Sequence, residues 1–310
     1  MRPTREEELA VLGAVVYASL FDYPLTPAQL ETSLIGVAAD IATIERWWRE
    51  SDLLQAAIEH RDGLYFPAGR SDLVRTRERR EALSRKLLDR DRRILRLVSN
   101  MPFVRMVALS GSLAHLNAEG GADLDLFVIT APRRVWSVTV ATLVIAKLLG
   151  WRKRVCMNYV VSERTLSIQP QDLFSANQII HLRPVSGHAV YEHFVKSNPF
   201  VRNIYPNFEL REGPRSQAPS PRPLLERALS LGLAQVAEGI ARKLYGWHLK
   251  RRAASWTSSD QVRLEAECLK LHTSSHRAST IAKFDAAMKA ALNTKDTKAT
   301  KTFLPNTGAA

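Results

Sequence analysis

Cysteine is scarce in this chain. Two residues in 310, Cys156 and Cys268, lie far apart without CxxC spacing. That excludes a disulfide framework or a zinc cluster argued from spacing, and makes a reducing cytoplasm the expected location. Long apolar runs are also missing. The most apolar stretch, 135–149, includes Thr139, Thr142 and Lys147. It falls short of the roughly 18 to 20 apolar residues a membrane span needs, so a buried helix is expected and no membrane partner. The opening Met1-Arg2-Pro3-Thr4-Arg5-Glu6-Glu7-Glu8 is too polar and acidic for a signal peptide. Acidic residues are the third shortage: 31 stand against 44 Lys and Arg, a net charge of +13 and a pI near 10.0. Such an excess points to a polyanionic partner or substrate, or else only to solubility.

What is present is a globular composition, 45% hydrophobic and 24% charged. At roughly 150 residues per domain, the length suggests about two domains. Residues 1–69 read as three short helices and a hairpin. Leu9, Leu12, Val15, Val16 and Leu20 follow helical spacing. Thr26-Pro27 opens a second helix, and Asp40 to Glu50 forms a third. Two β-like runs, at 54–58 and 64–66, then flank Arg61-Asp62-Gly63. This order predicts a winged helix-turn-helix, either reading DNA through 40–50 or serving as a protein-contact or lid module. Residues 70–99 form a connecting helix with eleven basic and five acidic residues. Its charged face is either simply solvated or a guide for phosphates.

The chemistry is expected between 100 and 210. A β-like run, Val104 to Leu109, meets Gly111-Ser112 and a short helix. Gly120-Gly121 ends that helix, and a strand then opens on Asp123-Leu124-Asp125. Residues i and i+2 of a strand share a face, so the two carboxylates converge. They repel one another unless a cation lies between them, and hard oxygen donors suit Mg²⁺ or Mn²⁺. Gly111 lets the backbone approach a phosphate closely, and Ser112 can hydrogen-bond its oxygens. A metal pair beside a phosphate cradle is equipment for phosphoryl or nucleotidyl transfer.

Gly-Ser, ten residues, then Asp-x-Asp between two strands resembles the signature of the polymerase-β-type nucleotidyltransferase superfamily. The resemblance implies that Gly111 and Ser112 bind the triphosphate of a nucleoside triphosphate, while Asp123 and Asp125 hold Mg²⁺. It also implies a third catalytic acid on a later strand. The best match is Asn158, within Arg154 to Val161, which brings no charge and cannot act as a base. Glu163 is the nearest substitute. Weaker similarity, in Tyr17 to Pro24, Asn158-Tyr159, Asp172 to Asn177 and Lys196 to Phe200, is to bacterial proteins joining a winged helix to a nucleotidyltransferase domain.

Four prolines mark residues 211–223 as a linker. Residues 224–253 and 261–292 are expected as two helices forming a C-terminal helical region, 224–292, and 293–310 as a disordered tail. Arg242, Lys243, Lys250, Arg251 and Arg252 lie near Tyr245, Trp247 and Trp256, either as a platform for a nucleic acid strand or as ordinary amphipathic packing. The expected fold is therefore α+β: a winged helix, a central nucleotidyltransferase-type mixed sheet with helices, and a helical C-terminal region. The expected activity is transfer of an NMP from NTP to an acceptor hydroxyl. The alternative is a nucleotide- or nucleic-acid-binding regulatory protein with a degenerate site.

Overall fold

A computed structural model describes residues 2–210, 222–230, 233–256, 262–271 and 276–293. Helix α1 (Arg5–Ser19) begins with a capping box, in which Thr4 accepts from the Glu7 N–H and Glu7 accepts from the Thr4 N–H. Thr26 and Gln29 do the same for α2 (Pro27–Thr32), and Asp40 caps α3 (Ile41–Glu50). The run expected as a strand over 54–58 is mostly helical. The Ser51 hydroxyl accepts from the Leu54 N–H at 3.1 Å and starts α4 (Asp52–Ala57). Local capping thus overrides the β-propensity of an apolar stretch. Pairing begins at β1 (Ile58–Arg61), which turns into β2 (Leu64–Pro67). Asp62 and Gly63 both have positive φ, as a tight hairpin turn requires.

The single helix expected over 70–99 is two, α5 (Asp72–Arg90) and α6 (Arg92–Ser99). They meet at Asp91, which is only 1% exposed and ion-paired to Arg90 and Arg154. Then come β3 (Val104–Leu109), the one-turn α7 (Gly111–Ala114) and β4 (Leu124–Thr130). Helix α8 (Val135–Leu148) crosses over to β5 (Val155–Ser162). The chain continues through α9 (Leu173–Ile180), β6 (Arg183–Ser186), α10 (His188–Lys196) and α11 (Phe200–Ile204).

The second C-terminal helix, expected over 261–292, is the main correction to the architecture. After α12 (Arg222–Leu229) and α13 (Leu233–Arg251), the chain forms β7 (Val262–Leu264) and β8 (Cys268–Leu271) before α14 (Arg277–Asn293). Both strands join the central sheet, whose order is β6-β3-β4-β5-β8-β7. Only β4 and β5 pair in parallel; the other neighbours are antiparallel. The protein is therefore a mixed α+β fold with a mixed sheet, and the sheet is not confined to 100–210. The proline-rich segment lies outside the described residues up to 221, with Arg222 beginning α12. The expected tail also lies outside them from 294 onward, since Asn293 ends α14.

Strand alternation divides the core into two layers. Val107, Leu109, Leu124, Leu126, Val128, Met157 and Val160 pack with α6, α8 and α13. On the opposite face, Met106, Ala108, Phe127, Ile129 and Val161 pack with α9, α10 and α11. A third core lies within the N-terminal helices, where Ala287 and Ala291 of α14 are buried against α1. Glu226 of α12 accepts from Arg105 at 2.8 and 2.9 Å, fastening that helix to β3. Among the described residues no helix is long and apolar enough to cross a membrane.

Candidate active site

Strand β4 has Leu124, Leu126 and Val128 on one face, so Asp125 emerges on the other, in line with Phe127. Asp123 immediately precedes the strand's first residue. β3 is carried one step past its end by the Ser110 N–H, which donates to the Asp125 carbonyl at 2.8 Å. That bond sets Gly111 directly over Asp125. The glycine has φ +63°, and a Cβ there would overlap Asp125 Oδ2, so glycine is required both by conformation and by space. Gly111, Ser112, Asp123 and Asp125 are thus brought to one place. Helix α7 has a single turn and supplies little dipole, which leaves the Ser112 hydroxyl and main chain as what it presents.

Asn158 meets this group from β5. Its Nδ2 donates to Asp125 Oδ1, and the Cys156 thiol donates to Asn158 Oδ1 at 3.0 Å. The position expected to hold a third acid therefore reaches the site, but with an amide acting as donor to the carboxylate. Glu163 does not reach it; its carboxylate pairs with Arg105 at 3.3 Å. Sequence reasoning missed Cys156, although it stands two residues before Asn158 and so shares its face. Ligand atoms of Asp123, Asp125 and Cys156 all lie within 4.8 Å of one another.

The electrostatics are those of a partly buried carboxylate pair. Burial, and then the neighbouring Asp123 charge, push Asp125 up to about 7 against the hydrogen bonds from Cys156 and Asn158. Burial and both aspartates push the Cys156 thiol up to about 12, so it stays protonated and is a poor ligand for a hard cation. Asp123, Asp125 and Cys156 together form a candidate metal-binding triad, with the two carboxylates as its charged donors. The thiol and the amide add no charge to that set.

Asp125, Gly111, Ser112 and Asn158 also line a cavity of about 340 Å³ on this face of the sheet. Its far wall comes from Tyr17 and Phe21 of the N-terminal helices, with Asn177 and His181 of the α9 region and Lys270 of β8. Within it the His115 and His181 rings stack at 4.1 Å, and Tyr23 meets His115 edge-on at 5.7 Å. Lys270 is 3% exposed, with its amine 5.1 Å from the Tyr159 ring centroid. No local pattern could have placed Lys270 here, because only the pairing of β8 with β5 does so.

Several arginines of the basic segments are engaged internally. Arg77 donates to the Pro24 carbonyl and stacks over Tyr23 at 4.7 Å; Arg80 pairs with Glu119, and Arg70 with Asp22. On α3, Arg49 pairs with Glu45 at 3.0 Å, and Arg46 donates to Thr43. In the C-terminal region Tyr245 packs on Trp136 and Trp256 lies against the core. The exposed Trp247 is covered by the Arg251 guanidinium at 3.8 Å. The amphipathic-packing alternative thus accounts for two of the three aromatics. No protein-family model, curated protein or solved structure matches this chain.

Proposed function

We propose that the protein is a metal-dependent nucleotidyltransferase that moves an NMP from a nucleoside triphosphate to an acceptor hydroxyl. The observation that carries this reading is the convergence of Gly111-Ser112 and Asp123-Leu124-Asp125 over one strand end, with Gly111, Ser112 and Asp125 lining a cavity. Asp123 and Asp125 would hold Mg²⁺, which when bound neutralises phosphate charge and activates the attacking oxygen. Gly111 brings main chain to the phosphates without a side chain in the way, and the Ser112 hydroxyl binds an oxygen. The acceptor oxygen forms a bond to the α-phosphorus, the α–β bridging bond breaks, and pyrophosphate leaves. Asn158 cannot take the acceptor's proton, which passes to water; its role is to orient the Asp125 carboxylate by donating to Oδ1.

Asn158 also favours a second reading, a nucleotide-binding regulatory protein with a degenerate site, in which the helix-and-hairpin module is a winged helix that reads DNA. Thermal shift with each NTP, with and without Mg²⁺, tests the shared premise. Wild type should gain stability with one NTP only when Mg²⁺ is present, and the Asp123→Ala/Asp125→Ala double variant should not. Absence of metal-dependent stabilisation by any NTP overturns the enzyme reading. Label transfer from an α-labelled NTP, lost in the double variant, selects the enzyme.

A further inference from the structure

Helices α6, α8 and α13 form a layer on the face of the sheet turned away from Asp125. A helix in such a layer buries one stripe and ordinarily presents polar residues on the other. Helix α13 does not. Its buried stripe holds Ala234, Glu238, Ala241 and Leu249. On the opposite side Val236, Ile240, Leu244 and Trp247 recur at i, i+4, i+8 and i+11, and each is more than half exposed. Neighbouring α8 adds exposed Val144 and Leu148, the latter 80% exposed, with Leu149 just past its end. Single apolar residues on a surface are ordinary, but a repeated stripe beside a second apolar cluster marks a docking surface.

Charge on this layer has one sign. Neither α6 nor α8 contains an acid; Arg92, Arg93, Arg96 and Lys147 are exposed on them, and Arg152 and Lys153 follow α8. The one acid of α13, Glu238, is buried where it caps α8, whereas Arg242, Lys243, Lys250 and Arg251 are exposed. Among the described residues none of these cations pairs with a carboxylate, unlike Arg80 of α5, which meets Glu119.

The occupant must therefore offer negative charge and apolar surface together. A second copy of this chain would set like charges against one another across the contact. The longer segments outside the described residues match no better. Residues 211–221 hold two arginines against one glutamate, and 294–310 three lysines against one aspartate. Nucleic acid would satisfy the cations, but its bases stack on rings and gain little from the aliphatic Val236, Ile240 and Leu244. An anionic bilayer satisfies both features. Aliphatic side chains enter the boundary between headgroups and acyl chains, while Lys and Arg stay among the phosphates. Trp247 with the Arg251 guanidinium over its ring suits that boundary, where an amphipathic ring and a cation share one level.

We infer that the outer surface of α6, α8 and α13 docks on an anionic phospholipid bilayer, with the α13 stripe at the headgroup boundary. No described helix can cross a bilayer, so the contact is peripheral. Asp125 lies on the opposite face of the sheet, and docking of this kind is independent of the nucleotidyltransferase reading.

Flotation of the full chain with lipid vesicles tests it. Phosphatidylcholine vesicles with about 30 mol% phosphatidylglycerol should carry the protein at about 0.15 M salt, and pure phosphatidylcholine vesicles at least about tenfold less. Equal binding to both, or binding to neither, overturns the inference. Ile240→Ser/Leu244→Ser leaves the charge unchanged and alters only exposed positions. It should weaken flotation at least about tenfold with the urea midpoint unchanged. Undiminished flotation of this variant overturns the inference. If it does not fold, Lys243→Gln/Lys250→Gln, both exposed, should weaken flotation several-fold; unchanged flotation again overturns it. Two further results assign the surface elsewhere and overturn the inference. One is a lipid-free dimer, seen by sedimentation equilibrium, that Ile240→Ser/Leu244→Ser dissolves. The other is a single-stranded oligonucleotide that binds more tightly than the vesicles and is lost in Lys243→Gln/Lys250→Gln.

Discussion

Replacing Asp125 with Asn should stabilise the protein while abolishing metal binding, and the size of the effect follows from the site. In the metal-free protein, burial and the adjacent Asp123 hold the Asp125 carboxyl at about 7 rather than the ordinary 3.8. The folded state therefore keeps a proton that the unfolded chain has lost between those two values. Stability linked to Asp125 is fully present below about 4, falls as pH rises through the window, and is absent above about 7. Three pH units at 1.36 kcal/mol each set a ceiling of about 4 kcal/mol. Water reaching the half-buried side chain reduces this to about 2 kcal/mol. The amide keeps the oxygen that accepts from Asn158 and carries no charge. Urea denaturation in the presence of a chelator should show Asp125→Asn equal to wild type at pH 4 and more stable by about 2 kcal/mol at pH 8. Millimolar Mg²⁺ should stabilise wild type only, closing the gap. A variant that is less stable at pH 8, or a difference independent of pH, would refute the electrostatic account.

Other substitutions probe the same frame. Gly111→Ala places a methyl against the Asp125 carboxylate at positive φ; it should cost about 2 kcal/mol in urea denaturation and eliminate Mg²⁺-dependent NTP stabilisation. Asn158→Asp adds the charge the site lacks. Calorimetric titration should show tighter Mg²⁺ binding, by about tenfold, with lower metal-free stability. Asp91→Asn leaves Arg90 and Arg154 without their buried carboxylate, and chemical denaturation should register a loss of about 3 kcal/mol. Glu238 accepts from the Trp136 and Ser137 N–H groups at 2.9 and 2.7 Å, capping α8 from α13. Glu238→Ala should lower stability by about 1 to 2 kcal/mol on the same measurement.

Local patterns in the chain were enough to place the candidate chemistry. Period-two alternation in β4 turns Asp125 away from Leu124 and Leu126, Asp123 stands one residue before the strand, and Gly111 precedes them by a distance that β3–β4 pairing closes. Thr26-Pro27 and Asp40 cap their helices, and Asp62-Gly63 turns the hairpin. Each of these depends on neighbours within a few residues, which a linear sequence displays. Tertiary structure decided the rest. Strands β7 and β8 are short and include Arg263 and Lys270, so no periodicity separates them from a helix; they are strands because β5 offers an edge of main-chain hydrogen-bonding groups. That same pairing carries Lys270 into the cavity, and α14 returns to bury Ala287 and Ala291 against α1. The excess of +13 invites an inference of nucleic-acid binding, yet Arg70, Arg77 and Arg80 meet carboxylates and a carbonyl brought from distant segments, and Arg49 pairs within its own helix. Charge totals are a property of composition. Whether a guanidinium meets a phosphate or its own protein depends on what the fold sets beside it.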